Sequence, residues 1–252
     1  MLRRLLPRLE ELFAFAFGTA IAREALWRVP GSVWPVVLAA AFGLVVAVFV
    51  RRNGAARRSP PPVFWWGVAL PVLALWALRA PFPDVGYDTL NYHILHGERG
   101  LWGPVQAPGD FYPFFFPNQN PTGDLVTALF RAALGYRGGT LAAALALVWA
   151  GEVLWRLLAP AVRDERLRAA AVLLAVTSEG LLWEVSGYMV DLLALPLLLE
   201  ATALATGDAS TSRSVLRRTT LLGLLLGVSV ALKLTHLVFA VPIGLVAFAR
   251  WV

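Results

Sequence analysis

Long apolar segments recur along the whole chain, and they constrain its fold more than any other feature. The eight candidate segments are residues 12–29, 33–50, 63–80, 139–158, 169–184, 187–206, 219–234 and 237–252. A helix needs about 20 apolar residues to cross a bilayer, and it satisfies its own backbone hydrogen bonds there. The sequence therefore predicts an all-α, polytopic membrane helix bundle with about seven or eight spans.

The composition supports this interpretation and excludes several kinds of chemistry. Apolar residues make up 58% of the chain and charged residues 15%, whereas soluble domains carry about 45–50% and about 25%. The sequence has no cysteine, which excludes disulfides, thiolate nucleophiles and cysteine-ligated metal centres. The net charge of +6 does not indicate a nucleic-acid partner, because the arginines lie in short clusters between apolar segments.

The arginine clusters predict the orientation of the chain in the membrane. They lie at residues 3–8, 51–58, 163–168 and 213–218. The positive-inside rule places the last three in the cytoplasm, and the first as well if segment 12–29 crosses. We interpret that segment as an uncleaved first helix, spanning or interfacial, although it also resembles a signal peptide. If residues 121–135 form an in-plane helix, an even number of spans joins each pair of successive arginine clusters, as a shared cytoplasmic side requires.

Three segments then lie on the opposite, non-cytoplasmic side: the loop 81–123, the turn 178–188 and the connection 233–236. Nearly all the unusual polar residues fall in or beside them, namely Asp84, Asp88, His93, His96, Asp110, Asp124, Glu179, Glu184, Asp191, Lys233 and His236. Polar groups in or beside the hydrocarbon are costly and usually functional. The sequence therefore predicts a polar cavity that opens to the non-cytoplasmic side.

The loop 81–123 is long enough to be functional, and residues 88–97 within it have helical spacing. Asp88 can act as the N-cap of this helix, which is also its simplest interpretation. The spacing places Asp88, Tyr92 and His96 near one helix face.

Two other features of this loop admit alternative interpretations. The aromatic residues of 111–117 suit an interfacial belt or a substrate platform. His93 and His96 are weak candidates for metal ligands, with Asp88 or Glu98 as a further ligand.

Lys233 is the single lysine among 22 basic residues, near the outer end of a span. Snorkelling to the interface is its simplest interpretation. A compact ammonium also suits a point-like partner such as a phosphate oxygen or a carboxylate, which His236 can share. Asp191 lies at the start of an apolar helix, whereas Glu179 and Glu184 are expected to solvate the turn.

Four motifs follow one another on the predicted outer side. They are Asp88–Tyr92 in the setting YDTLNYH, Phe116-Pro117 leading to Gly123-Asp124-Leu125, Gly187–Asp191 opening a span, and a glycine-rich span ending in Lys233-Leu234-Thr235. In this order they resemble the GT-C superfamily of multi-spanning glycosyltransferases, in particular the bacterial family-39-like enzymes. That group includes protein O-mannosyltransferases and lipid A aminoarabinose transferases. The resemblance is to the N-terminal part of such enzymes, and Thr89 stands where many relatives have glutamate.

The resemblance implies one transmembrane domain over residues 1–252. Residues 1–62 would supply N-terminal helices and a basic cytoplasmic loop, and residues 63–252 a GT-C-like core with the outer loop 81–123. Such an enzyme moves a sugar, with inversion, from a polyprenyl-phosphate carrier to a hydroxyl of a lipid, glycan or protein. The implied location is the bacterial inner membrane, with the active face periplasmic or extracellular. No cofactor is required, and a divalent metal is compatible with the chemistry.

The resemblance also implies residue roles. Asp88 would be the general base, and Lys233 would stabilise the phosphate leaving group, with His236 and Arg99 as weaker candidates. The remaining substrate-binding candidates are Asp84, Tyr92, His93, Asp124, Tyr188 and Asp191. Asp191 would bind sugar hydroxyls or orient Lys233.

Two other functions remain open from the sequence. A non-catalytic multi-span subunit of a larger membrane complex is favoured by the short length and would have membrane-protein partners. A transporter or flippase would need polar groups along a path to the cytoplasm, for which only Glu152 and Glu200 qualify.

Overall fold

The computed structural model describes residues 9–26, 33–53, 60–84, 86, 90, 93–102, 121–207 and 215–251. Within these ranges the helices are α1 (Leu9–Ala25), α2 (Val33–Asn53), α3 (Pro62–Phe64), α4 (Leu70–Arg79), α5 (Ile94–Trp102), α6 (Thr122–Gly139), α7 (Leu141–Leu158), α8 (Glu165–Val176), α9 (Glu179–Glu184), α10 (Asp191–Thr206), α11 (Val215–Leu232) and α12 (Leu237–Trp251). A π-helical turn, Trp65–Ala69, joins α3 to α4, and a 3-10 turn, Leu234–His236, precedes α12. The described part of the chain contains no strand, so the all-α prediction is confirmed there.

Among the described residues, four helical segments are long and apolar enough to cross a membrane. They are Trp34–Arg51, Pro62–Arg79, Leu141–Leu158 and Leu234–Trp251, each of 18 residues. At 1.5 Å per residue, such a helix is about 27 Å long, close to the thickness of the hydrocarbon core. The outer faces of α2 and α12 expose large apolar side chains, Trp34 and Val238 by more than 70%. These four segments are therefore candidate membrane spans by their length and composition.

Contacts at the helix ends define two ends of the bundle. The Trp76 indole N–H at the end of α4 donates to Thr140 Oγ1, 2.9 Å away, at the start of α7. At the other end of this antiparallel pair, the Phe64 ring packs edge-on against Trp155, with centroids 5.8 Å apart. We call the end with Thr140 the acidic end, because Asp84 and Asp191 also lie there, and the opposite end the arginine end.

The apolar segment 169–184 is divided into two helices. Helix α8 ends at Val176, and the separate helix α9 begins at Glu179. A Cβ on Gly67 would lie 3.2 Å from Ala169 Cβ, and Arg79 Nη1 donates to the Leu182 carbonyl over 2.7 Å. Helices α8 and α9 together therefore run beside Pro62–Arg79 in the same direction and reach the acidic end.

Helices α10, α11 and α12 alternate in direction between the two ends. Arg218 of α11 donates to the carbonyls of Leu204, in the last turn of α10, and of Gly207, the residue after α10. The Arg218 guanidinium also stacks over Trp251 at the end of α12, 4.8 Å from the ring centroid. The start of α10 and the end of α11 therefore meet at the acidic end.

Both ends of helix α6 contact one short segment at the acidic end. Near its start, Gly123 packs against Val190; near its end, Gly139 approaches the Tyr188 hydroxyl. For both ends to reach this segment, the chain changes direction within α6 at Gly135, whose φ of 77° lies in the region that favours glycine. Residues 121–135 are thus helical, as predicted, and they stay at one end of the bundle.

Helices α1 and α2 form a closely packed hairpin. A Cβ on Gly43 would lie 2.5 Å from the Phe15 carbonyl oxygen, so only glycine permits this approach. Helix α1 also joins the core, because Phe13 stacks on Trp149 with centroids 5.5 Å apart. Its C-terminal Arg23 donates to the Leu101 carbonyl over 3.1 Å, which places the end of α1 at the acidic end.

Candidate functional site

Three segments that are distant in the sequence meet around Gly123 at the acidic end. A Cβ on this glycine would lie 2.6 Å from Val190 Cγ1 and 3.3 Å from the Leu232 carbonyl oxygen. The chain neighbours of these three residues are Asp124, Asp191 and Lys233. The predicted convergence of polar residues at one end of the bundle is therefore found for the starts of α6 and α10 and the end of α11.

The first group of polar side chains is the carboxylate–lysine cluster, Glu184, Asp191, Lys233 and His236. Lys233 Nζ donates to both carboxylate oxygens of Asp191, each 2.9 Å away. Both side chains are about one-third exposed, so the ammonium remains accessible from outside. Asp191 therefore holds the Lys233 ammonium in a fixed position.

His236 completes the other side of this cluster. Its Nδ1 lies 2.9 Å from the Ser229 carbonyl oxygen, and its Nε2 lies 3.5 Å from Asp191 Oδ1. Because a carbonyl oxygen only accepts, Nδ1 carries the proton. Nε2 then faces the Asp191 carboxylate, at the outer limit of hydrogen-bonding distance.

Glu184 is the member of the cluster that sequence reasoning missed. It was expected to solvate the turn 178–188; this holds for exposed Glu179 but not for Glu184. Its Oε2 is buried and has no hydrogen-bond partner among the described residues. Burial, and then the negative charge of Asp191, raise the pKa of Glu184 to about 7, against the opposing charge of Lys233. The sequence signal that could have identified Glu184 is an acidic residue within a short apolar helix at this end of the bundle.

The second group is the histidine–aspartate cluster, formed by His93, His96 and Asp124. His93 Nδ1 lies 2.5 Å from Asp124 Oδ1, and His96 Nδ1 lies 3.1 Å from Asp124 Oδ2. All three side chains are buried. The spacing of three residues lets both rings reach one carboxylate. The described residues contain no group of three or more His, Asp or Glu side chains arranged to hold a metal ion.

Asp84 and Tyr188 form a network beside these clusters. Asp84 Oδ2 accepts the Tyr188 backbone N–H over 2.9 Å, and the Tyr188 hydroxyl donates to the Tyr136 carbonyl. The Arg131 guanidinium lies over the Tyr188 ring, 5.1 Å from its centroid. Burial raises the pKa of the Tyr188 hydroxyl to about 12. These contacts fix the turn that leads into Asp191.

Two predicted site residues, Asp88 and Tyr92, lie outside the described residues, as do Asp110 and 111–117. The helix predicted over 88–97 is described as α5 from Ile94 onward.

A cavity of about 480 Å³ opens between α1, α6 and α11, beside this end of the bundle. Its walls are mainly apolar and include Ile21 and Val228. At its polar edge the Thr122 hydroxyl donates to Glu24. Because Thr122 precedes Gly123, the cavity lies next to the point where the three segments meet.

Comparison with protein-family models, with curated proteins and with solved structures finds no match to this chain. The function must therefore be argued from the residues of the chain itself and from the geometry of the two clusters.

Proposed function

We propose that the protein is an integral-membrane glycosyltransferase. It moves a sugar from a polyprenyl-phosphate carrier to a hydroxyl acceptor at the acidic end. The observation that carries this proposal is Lys233, whose ammonium is held by both oxygens of Asp191 and remains partly exposed. A fixed ammonium beside an apolar cavity suits the phosphate of a lipid carrier, because it stabilises the charge of the leaving group.

The proposal places eight segments across the membrane, namely α1, α2, Pro62–Arg79, α7, α8, α10, α11 and α12, and it places α9 in the outer turn 178–188. The shared direction of Pro62–Arg79 and α8 with α9 supports a crossing by both. Helix α6 lies in the plane of the membrane, since both its ends contact the segment 187–190. The arginine end faces the cytoplasm. The acidic end faces the periplasm or the exterior of a bacterial inner membrane.

The proposed mechanism is a direct displacement with inversion. Asp88 accepts the proton of the acceptor hydroxyl, whose oxygen bonds to the anomeric carbon. The bond from that carbon to the phosphate oxygen breaks, and the phosphate keeps the electron pair. Lys233 stabilises this charge, with His236 as a weaker contributor, while Asp191 holds Lys233 in place.

The experiment is sugar transfer in proteoliposomes by the full chain, with a panel of radiolabelled undecaprenyl-phosphate sugars and bacterial envelope lipids, glycans and proteins as acceptors. Asp88→Asn should reduce transfer by about 10² to 10⁴-fold, the usual contribution of a general base. The matched control is Asp164→Asn. Asp164 caps α8 at the arginine end by accepting the Arg166 and Leu167 N–H groups, and asparagine caps equally well.

Undiminished transfer by Asp88→Asn would remove Asp88 from the mechanism. Failure of the wild-type protein to bind any undecaprenyl phosphate, together with stoichiometric recovery of other membrane proteins, would instead support a non-catalytic subunit.

The structure offers less support for a transporter. The Glu200 carboxylate, one of two polar groups available for a path, is buried in α10 and paired with Arg156 of α7. The Trp149 indole N–H lies 3.4 Å from the same carboxylate oxygen. These contacts give Glu200 a role in joining two helices.

A further inference from the structure

Glu184 occupies an unusual position at the acidic end. Its Oε2 is buried without a hydrogen-bond partner among the described residues, and the Leu192 N–H donates to the carboxylate. The charged or titratable groups that face it are Asp191 of α10 and Lys233 and His236, which follow α11. A buried carboxylate with one oxygen unsatisfied is costly when ionised and much less so when protonated.

The charges of the cluster do not balance in favour of binding an anion. Glu184 and Asp191 bring two negative charges, and Lys233, already shared by both oxygens of Asp191, brings one positive charge. A phosphodiester that binds Lys233 adds a further negative charge close to both carboxylates. Neutralising one carboxylate relieves this repulsion, and Asp191 cannot be that group because it holds Lys233.

We propose that Glu184 takes up a proton when an anionic phosphodiester binds at Lys233 and His236. This inference rests on the proposed function and adds a proton to its binding step. The proton comes from water and forms an O–H bond at the Glu184 carboxyl; it returns to water when the anion leaves. A pKa of about 7 in the free protein means that little free energy is needed to complete this protonation near neutral pH.

The test measures the affinity of the full-length protein in detergent for undecaprenyl methyl phosphodiester between pH 6 and pH 9. This diester carries one negative charge throughout, so the probe does not titrate. Wild-type affinity should be constant below about pH 7 and fall about tenfold per pH unit above it. In Glu184→Gln the profile should be flat, because glutamine has the same shape and can still accept the Leu192 N–H.

The matched control is Glu179→Gln, which makes the same change at the exposed, opposite end of α9. It should keep the wild-type profile. Calorimetric titrations in two buffers of different ionisation enthalpy should show net proton uptake by wild type and Glu179→Gln. They should show none for Glu184→Gln. A ligand-free measurement checks the group directly: the infrared band of a protonated carboxyl should titrate near pH 7 and be lost only in Glu184→Gln.

The outcomes separate this inference from the proposed function. If the wild type binds no diester at any pH, the proposed function fails and the inference fails with it. If the wild type and Glu184→Gln bind with parallel pH profiles, only the inference fails. A profile flattened by His236→Gln and not by Glu184→Gln would place the proton on His236 and overturn the role of Glu184.

Discussion

Replacement of Gly123 by alanine tests the meeting point of the three segments at the acidic end. The added Cβ would lie 2.6 Å from Val190 Cγ1 and 2.7 Å from Val190 Cβ, closer than side-chain carbons pack. Because Cβ is bonded directly to Cα, rotation about χ1 can move Val190 Cγ1 away but leaves Val190 Cβ in place. The backbone beside Asp191 must therefore shift. The Leu232 carbonyl on the other side of Gly123 limits how far Gly123 itself can move away from Val190.

The size of the effect follows from two opposing contributions. Overpacking a tightly packed site costs about 1–3 kcal/mol. Gly→Ala in a helix returns about 0.4–1 kcal/mol by reducing the freedom of the unfolded chain. Gly123→Ala should therefore lose about 1–2 kcal/mol, which corresponds to a Tm lower by roughly 2–8 °C for a chain of this size.

The assay is thermal unfolding in a mild detergent, paired with binding of the undecaprenyl diester. The matched control is Gly223→Ala in α11, where the added Cβ would have no atom within 4 Å. This control should keep or slightly raise the Tm and leave binding unchanged. Gly123→Ala should also bind more weakly, since displacing Val190 moves Asp191 away from Lys233. Equal Tm and equal affinity in the two variants would show that the segments do not meet as described.

Two further predictions concern the ion pairs. Lys233→Met should lower diester affinity by at least about tenfold. It should change stability by no more than about 1 kcal/mol, because the pair with Asp191 is partly exposed. Lys233→Arg should keep the stability, and unchanged affinity in Lys233→Met would contradict a phosphate-binding role. Glu200→Ala should destabilise the protein by about 1–3 kcal/mol, since it leaves the partly buried Arg156 guanidinium without its carboxylate. A thermal unfolding midpoint within error of the wild type would contradict a joining role for this pair.

The sequence predicted the class of fold and part of the site for physical reasons that act locally. Apolar length and helix period are properties of short segments, so the helices at 33–50, 63–80 and 139–158 could be located from the sequence. Placing Asp191 and Lys233 at one end required only the alternation of helix direction. Their direct pairing is the simplest consequence of that placement.

Contacts that depend on tertiary packing could not be predicted in this way. The break between Val176 and Glu179 interrupts an apolar run without a proline or a cluster of charges. Burial of Glu184 depends on how α9 lies against α10, which no property of its own segment specifies. The pairing of His93 and His96 with one carboxylate required knowing that α5 packs on the first turn of α6.

The arginines of the opposite end make specific contacts at the helix ends. Arg168 donates to the carbonyls of Val162 and Arg163, in the turn after α7, and stacks over Trp155 with its guanidinium 4.7 Å from the ring centroid. Arg218 repeats this arrangement with the last carbonyls of α10 and with the ring of Trp251. A planar group with five donors can bind two carbonyls and a ring face at once.

This difference gives a physical reason for the single lysine. Positive charge alone would orient the chain whether it came from arginine or lysine, but an ammonium lacks the flat face and fork that these helix ends use. At the acidic end the requirement is reversed. Lys233 directs one compact charge at both oxygens of Asp191 and has further donor capacity, because an ammonium carries three protons. An incoming phosphate oxygen would need a third N–H that points away from Asp191. A guanidinium that paired with the Asp191 carboxylate through two N–H groups would instead have its plane fixed by that pairing.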